Sequence, residues 1–554
     1  MPPVKTKTFP YVMAGIPALI LVLALSGTLI LHHFLPGKVA GFMKKEFAGI
    51  LEGEVSGLYW VEIPEVQFTP LFRTMHVQSV LLVPDTHALA DRSPEALPAG
   101  IFRLRVGGLE VSTGGLLALA RGKKDIVFST VRIGELSATL IRNPDGRQPE
   151  KEGGTHHLRS LEIKDLAVTL TDLKVQMLAE PGTDVFSLDQ GRFNTGILWQ
   201  SGKYPDTPVL DLRKPDLLAA SIDIRAPDAL HRFTCASLAL ERDGTGLNLF
   251  GVKMVPLFSK RQFRNQVTHQ ANRVETELDT VRFHGFDLNS LINRKHLSAE
   301  KLEVSHGRVE VFRDRHPPLN TLQRPPMPVR LIREAPFEIR LGEASLTGLD
   351  VYYQELPRGS AAESVIPFRN LSATLTNLTN AAEHLIHDSI MRIQSHAWVF
   401  GRSRLNASFV YNLKDLNGGY RAHGTLAAMP LDIINPVLYP ITGIRVIEGS
   451  HEKTEFFFSG NDFRTEGALT MHYSGLRLDL APERNRLRQT IANWAGRQFM
   501  YHPSNPGNHT EVRPGTIYFE READRFVFHY WWNSFLTGVL STVMRDRVNR
   551  GGSE

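Results

Sequence analysis

His384, His387 and Asp388 set two imidazoles and a carboxylate close together, a grouping able to hold a metal ion if one helix face presents all three. The stretch follows Asn377-Leu-Thr-Asn380 directly, lies between predicted strands and lacks the glutamate of a His-Glu-x-x-His motif, so solvated side chains are the expected reading. His156-His157 falls in a polar, glycine-containing loop. Gly153-Gly154-Thr155 is a lone glycine pair, far short of a phosphate-binding loop. No Gly-x-Ser-x-Gly nucleophile elbow occurs. Cys235 is the only cysteine, which excludes an intramolecular disulfide and a cysteine-based metal cluster. The expectation is a non-enzymatic chain with no catalytic, metal or cofactor-binding residue.

The elements that would have to position such groups are more informative than the groups themselves. One hydrophobic frame, with steps of +2, +3, +2 and +2, recurs along the chain. It occurs at Leu104, Val106, Leu109, Val111, Thr113; at Val131, Ile133, Leu136, Ala138, Leu140; and at Leu161, Ile163, Leu166, Val168, Leu170. Looser copies follow at Leu302, Val304, Gly307, Val309, Val311 and at Ala344, Leu346, Leu349, Val351, Tyr353. Steps of two keep side chains on one face of a strand, whereas a step of three reverses the facing unless a bulge or kink absorbs the extra residue. Each frame therefore predicts a bent strand or a tight strand pair, and the repetition predicts an extended β scaffold with a long apolar face. Ordinary alternation in a half-exposed antiparallel sheet is the competing explanation.

The N-terminus carries a different signal. Residues 11–31 contain no charge, a run that at ~1.5 Å per residue is long enough to cross a ~30 Å hydrocarbon core. Leu19, Leu21, Leu23, Leu25 and Leu29 lie in it as candidate membrane-anchor residues. A cleaved signal peptide is the alternative, with Lys5 and Lys7 ahead of the run and Ala24-Leu25-Ser26 as a cleavage site, but the apolar stretch continues past that point. Val39, Phe42, Met43, Phe47, Ile50 and Leu51 then fall at helical spacing, either on an amphipathic helix at the membrane exit or on a core-packing helix.

The chain has 554 residues, 42% hydrophobic and 22% charged, which is globular composition with room for two to four domains. The net charge of +5 is spread among interleaved acids, so it predicts solvated surface and no nucleic-acid partner. Residues 61–70 and 75–83 read as strands and 87–99 as a loop. Asn143-Pro144-Asp145-Gly146 reads as a turn closing the second frame. Proline density at 316–336 marks a linker. Residues 431–439 form a short helical stretch, with Asn435-Pro436 as the turn at its end. Leu487, Ile491, Trp494, Ala495 and Phe499 make a helical stripe. Phe528, Trp531, Trp532, Phe535, Val539, Leu540 and Val543 make a longer one, followed by Arg545, Arg547 and Arg550. Its aromatic residues Phe528, Trp531, Trp532 and Phe535 form a candidate cap over the apolar scaffold or a lipid-interface helix.

The anchor followed by residues 102–146, above all the segment from Val131 to the turn Arg142-Asn-Pro-Asp145-Gly146, resembles the N-terminal region of the AsmA family. The second half is similar to AsmA-type proteins at Asp350-Val-Tyr-Tyr-Gln-Glu355, Asn377-Leu-Thr-Asn380, Asn435-Pro436 and Met471-His-Tyr-Ser-Gly-Leu-Arg-Leu478. The resemblance, which extends to TamB and the eukaryotic chorein-type bridge proteins, implies one helix in the bacterial inner membrane and a β-rich region in the periplasm. It also implies an elongated, folded-over antiparallel sheet whose apolar groove carries phospholipid between membranes in support of the outer membrane. The expected layout is a cytoplasmic tail at 1–10, the anchor at 11–35, β regions at 36–315 and 337–554, and the linker at 316–336 between them. Leu161, Ile163, Val351 and Tyr353 are the candidate groove residues. The chain is much shorter than the longest members, so an envelope protein partner or oligomer would complete a bridge. A structural or interaction scaffold of the envelope with a filled core is the alternative function.

Overall fold

The computed structural model describes residues 58–62, 66–68, 74–112, 114, 118, 123–146, 159–200, 209–242, 244–320, 325–480, 501–507, 511–522 and 525–544. The anchor candidates Leu19, Leu21, Leu23, Leu25 and Leu29, the stretch 39–51, His156-His157 and the stripe at 487–499 lie outside the described residues. The protein is mainly β, as the repeated frames predict. It divides into two compact units, Met1–Lys253 with Arg282–Ser298, and Met254–Val281 with Ala299–Glu554. The segment 316–336 falls wholly within the second unit.

The first unit begins with β1 (Tyr59–Glu62) and β2 (Val66–Phe68), both antiparallel to β3 (Thr74–Pro84). A short helix, α1 (Thr86–Ala90), capped by the Asp85 carboxylate, opens the segment predicted as a loop. β4 (Gly100–Ser112) and β5 (Asp125–Arg142) continue the antiparallel run. β6 (Ser160–Met177) then pairs with β5 in parallel, so the sheet is mixed and the purely antiparallel expectation is corrected. Asn143-Pro144-Asp145-Gly146 does turn, with Asn143 buried and its Nδ2 donating to Pro94 O at 2.6 Å. It does not close a hairpin, because β6 pairs with β5 in parallel and begins beside the start of β5. β7 (Glu180–Gln200), β8 (Val209–Arg225) and β9 (His231–Leu240) restore antiparallel pairing, and β10 (Gly246–Pro256) pairs with β9.

Each frame is one strand with a bulge rather than a tight pair. On β3, β4 and β5 the three-residue steps stand in register: Val77 pairs with Leu109 and Leu109 with Ile133, while Val80 pairs with Val106 and Val106 with Leu136. Gly108, inside the step on β4, has φ +62°, a left-handed conformation that glycine adopts without strain. The extra residue restores the facing. Leu104 and Val106 before the step and Val111 after it are all buried in one cluster, as are Leu161, Ile163, Leu166 and Val168 on β6. The same device recurs on later strands, at His306 (φ +53°) and Gly348 (φ +70°).

Helices α2 (Lys260–Gln266) and α3 (Leu288–Arg294) belong to the second and first units respectively. α3 covers an edge that β9 leaves open, since β9 pairs β8 only from Leu217 onward. Asn289 receives Leu212 N at 2.9 Å and returns Nδ2 to Leu212 O at 3.1 Å; Asn293 does the same for Leu210 at 3.0 and 2.7 Å. Two amides one helical turn apart thus imitate a neighbouring strand.

β11 (Asn272–His284) and β12 (His296–Asp314) lead into the second unit, whose strands β13 (Glu338–Leu356), β14 (Ser364–Thr379), β15 (Ile390–Val399), β16 (Ser403–Asn412) and β17 (Tyr420–Leu426) form an antiparallel meander. β18 (Met429–Pro430) and β17 both pair with β19 (Ile444–Gly460), which is followed by β20 (Arg464–Leu480) and β21 (Pro514–Glu520). The proline-rich segment packs within this unit. Gln270 and Arg358 donate to Pro317 O, Arg521 donates to Pro325 O, and α4 (Pro328–Arg333) buries Val329 and Ile332 behind the fully buried Met327. α5 (Ala382–His387) connects β14 to β15. Asn435-Pro436 does end a 3-10 turn, Leu431–Ile434, capped by Asn435, and also starts α6 (Asn435–Thr442), because a proline in the first turn has no amide that the helix would need. The last helix among the described residues is α7 (Val527–Val543).

Candidate functional site

The apolar interior of the first unit is built from one face of six successive strands, β3 to β8. Ile126 and Phe128 of β5 meet Leu161 and Ile163 of the parallel β6 residue for residue, and Leu161 and Ile163 in turn pair with Trp199 and Ile197 of β7. Leu161 and Ile163 are both buried in this cluster. The buried positions on these strands include no ionisable side chain, and Thr195, the one polar exception, bonds Gly196 O and Arg213 O. Glu162, between the two candidates, points away to pair with Arg213 at 2.9 Å.

The other candidates, Val351 and Tyr353, lie in the second unit, half-buried against a separate cluster of Ile366, Phe368, Ala397, Val399 and their neighbours. α7 lies on that face. Phe528 sits 4.9 Å from the Tyr353 ring and 5.5 Å, edge-on, from Phe368; Trp531 is 4.5 Å from Phe409, and Phe535 is 5.4 Å from Phe456. One helix thus reaches side chains on β13, β14, β16 and β19, so Phe528, Trp531, Trp532 and Phe535 cover the sheet. Its most deeply buried positions are others: Tyr530, Ser534, Gly538 and Thr542, one turn apart on the face toward β20 and β21. Ser534 Oγ meets Thr465 Oγ1 at 2.7 Å, and Tyr530 OH donates to Asn461 O at 3.0 Å. In the sequence the apolar stripe of the helix masks this small-residue stripe, whose signal is the four-residue spacing of Ser534, Gly538 and Thr542.

Near the start of α7 lies a buried polar group of residues. Tyr353 OH donates to Glu355 at 2.6 Å, and Arg525 and Arg313 both donate to Gln270 Oε1, at 2.9 and 3.3 Å. His529 is buried beside them. Burial brings its pKa down from 6.5 to about 4, against the pull of Glu355 and with the help of Arg525, Arg315 and Arg313. The folded chain holds this imidazole neutral, whereas the unfolded chain binds a proton below its ordinary pKa. Its contribution to stability is therefore complete above about pH 6.5 and is lost as pH falls toward 4. Urea midpoints should drop between about pH 7 and pH 5, with a slope approaching ~1.4 kcal/mol per pH unit from this group. His529→Gln should flatten the drop, leaving the share of His451, whose pKa burial also lowers. An unchanged slope in that variant would discard the assignment.

His384 and His387 are exposed on α5. Among the described residues no group of three or more histidine, cysteine or acidic side chains is arranged to hold a metal ion. No helix among them is long and apolar enough to cross a membrane. No protein-family model matches the chain, and no curated protein matches it.

Proposed function

We propose that the chain is a non-catalytic, lipid-handling scaffold of the AsmA type, tethered to the bacterial inner membrane by residues 11–35 with its bulk in the periplasm, where it holds or passes phospholipid and supports the outer membrane. The observation behind this reading is the apolar face of β3 to β8, which bulges keep pointing one way and no charged side chain interrupts. Acyl chains would lie along Leu161 and Ile163 in place of part of the side-chain packing. A partner protein or a second copy would extend the path to another membrane. A structural envelope scaffold with a filled interior is the second reading, and the cover that α7 lays over Val351 and Tyr353 favours it for the second unit.

The test is photocrosslinking in the full chain, with the reactive residue placed singly at Leu161, Ile163, Val351, Tyr353, Glu162 and Asp350, and lipid extracted and weighed by mass spectrometry. Phospholipid adducts are expected at Leu161 and Ile163 and not at Glu162 or Asp350. Absence of adducts in the folded protein, or equal labelling everywhere, would leave the filled scaffold.

A further inference from the structure

α3 meets the interior of the first unit at the edge of β8, in register with the candidate groove. Leu212, whose backbone Asn289 holds, pairs with Ile197 of β7, and Ile197 pairs with Ile163 of β6. Leu210, held by Asn293, pairs with Trp199 and through it with Leu161. All six side chains of these two rows belong to one apolar cluster. Leu161 and Ile163 thus stand two strands in from β8, about 10 Å from the edge that α3 covers.

The helix carries its own ends. Asp287 accepts Ser290 N at 2.9 Å and Ser290 Oγ at 2.6 Å, and Lys295 N donates to Leu291 O and Ser290 O. Gly285 and Lys295, with φ +62° and +58°, turn the backbone just before and just after it. Its hold on the sheet is slighter than its internal order. None of its residues is fully buried; Leu288 and Ile292, one turn apart, rest half-buried against the cluster. The strand itself is gripped only through the side chains of Asn289 and Asn293, where β7 grips the other edge with a continuous ladder. An element with so few buried contacts lies at the low end of local stability, whereas the paired strands behind it open only with the unit.

We propose that α3 is a displaceable latch, whose release opens the edge of β8 for an acyl chain to pass over Leu210 and Leu212 to Leu161 and Ile163. The port rests on the lipid-handling reading of the first unit; the latch does not. When α3 lifts, Leu288 and Ile292 leave the cluster, and an aliphatic tail in their place keeps that surface out of water. The backbone groups of Leu210 and Leu212 that α3 releases point along the sheet into solvent, so the tail need offer no hydrogen bond.

The test closes the latch reversibly. In the full chain carrying Cys235→Ser, Asp211→Cys and Asn289→Cys are joined by a short thiol-reactive linker that reductant cleaves; the natural side chains of this pair meet at 3.1 Å. Loading is followed from mixed micelles of detergent and phosphatidylethanolamine, as lipid adducts to a photoreactive residue at position 161. The linked chain should load about tenfold more slowly than the same chain after reduction, and Asn289→Ala with Asn293→Ala should load faster than the parent. Equal rates before and after reduction would overturn the port.

Hydrogen exchange in detergent without phospholipid reads the latch alone. Alternate amides of β8 point to opposite neighbours, so those of Leu210 and Leu212 should exchange about tenfold faster than that of residue 211, and the linker should remove the difference. Equal protection in the unlinked parent would show that α3 opens only with the whole unit, and would overturn the latch. Exchange that shows opening, with no adduct in any form, would refute lipid carriage by the first unit and leave the latch standing.

Discussion

Gly538→Leu should detach α7 from its seat and lower the stability of the chain by about 3 kcal/mol or more, at the upper end of what overpacking costs. A Cβ at Gly538 would stand 2.5 Å from Leu469 Cδ2 and 2.7 Å from Ile517 Cγ1, and the Gly538 carbonyl itself closes against Gly515 of β21. Helix and sheet are in contact at the backbone there. A leucine cannot be accommodated by turning its own side chain, because the crowding begins at the first carbon. Gly538→Ala already sets a carbon under 3.0 Å from Ile517 Cγ1 and Leu469 Cγ, inner carbons of buried side chains, so the up to about 1 kcal/mol returned by removing a helix-interior glycine should be outweighed and that variant should lose about 1 kcal/mol, less than the leucine variant. Urea unfolding followed by tryptophan emission reads both variants. A leucine variant with the parent midpoint would show that α7 does not rest on β20 and β21 through this face.

Detachment would also expose Phe528, Trp531, Trp532 and Phe535, which lie on the adjoining faces of the helix. Sequence patterning locates that aromatic stripe and offers a covering role beside a lipid-interface one, because aromatic side chains at helical spacing are visible without knowing their partners. It does not locate the contact with the closest approach. Ser534, Gly538 and Thr542 carry little hydrophobicity, and their importance comes from what they lack in volume opposite Gly515, which only the fold brings near.

The frames show the same division. Their +2 steps identify β4, β5, β6, β12 and β13, and the +3 step correctly signals a bulge or kink. What the pattern leaves open is whether the two halves share a face; that depends on backbone angles such as φ +62° at Gly108 and on the register that lines up Val77, Leu109 and Ile133. The parallel pairing of β5 and β6 was likewise hidden, since strands alternate identically in either direction and only the path of the connection decides. The proline-rich segment shows what local chemistry leaves out. Its prolines do exclude strand, yet their carbonyls are taken up by Gln270, Arg358 and Arg521, far away in sequence. Of the candidate site, alternation alone puts Leu161 and Ile163 on one shared face without telling which face turns inward, and the cover over Val351 and Tyr353 required knowing where α7 lies.

Ile163→Asp should cost the first unit at least about 3 kcal/mol at neutral pH, the range expected for an uncompensated polar or charged group in a packed interior. Ile163 is 4% exposed, flanked across the ladder by Phe128 and Ile197, and no cationic side chain is buried on these strands to receive a carboxylate. The loss should have a pH signature that separates buried charge from lost volume. An aspartate forced into this cluster has its pKa raised in the folded chain relative to the unfolded one, so the fold binds the extra proton more tightly. Its stability should therefore recover, relative to Ile163→Asn, as pH falls below about 6 and the carboxyl becomes neutral. Glu162→Gln is the control on the opposite face of the same strand: it breaks only the exposed pair with Arg213, worth roughly 0–1 kcal/mol. Equilibrium urea unfolding of the three variants at several pH values gives the comparison. If Ile163→Asp were as stable as Glu162→Gln at neutral pH, or tracked Ile163→Asn at every pH, the carboxylate would be reaching water, and the six-strand face would stand open as a groove even without lipid rather than close over its own side chains.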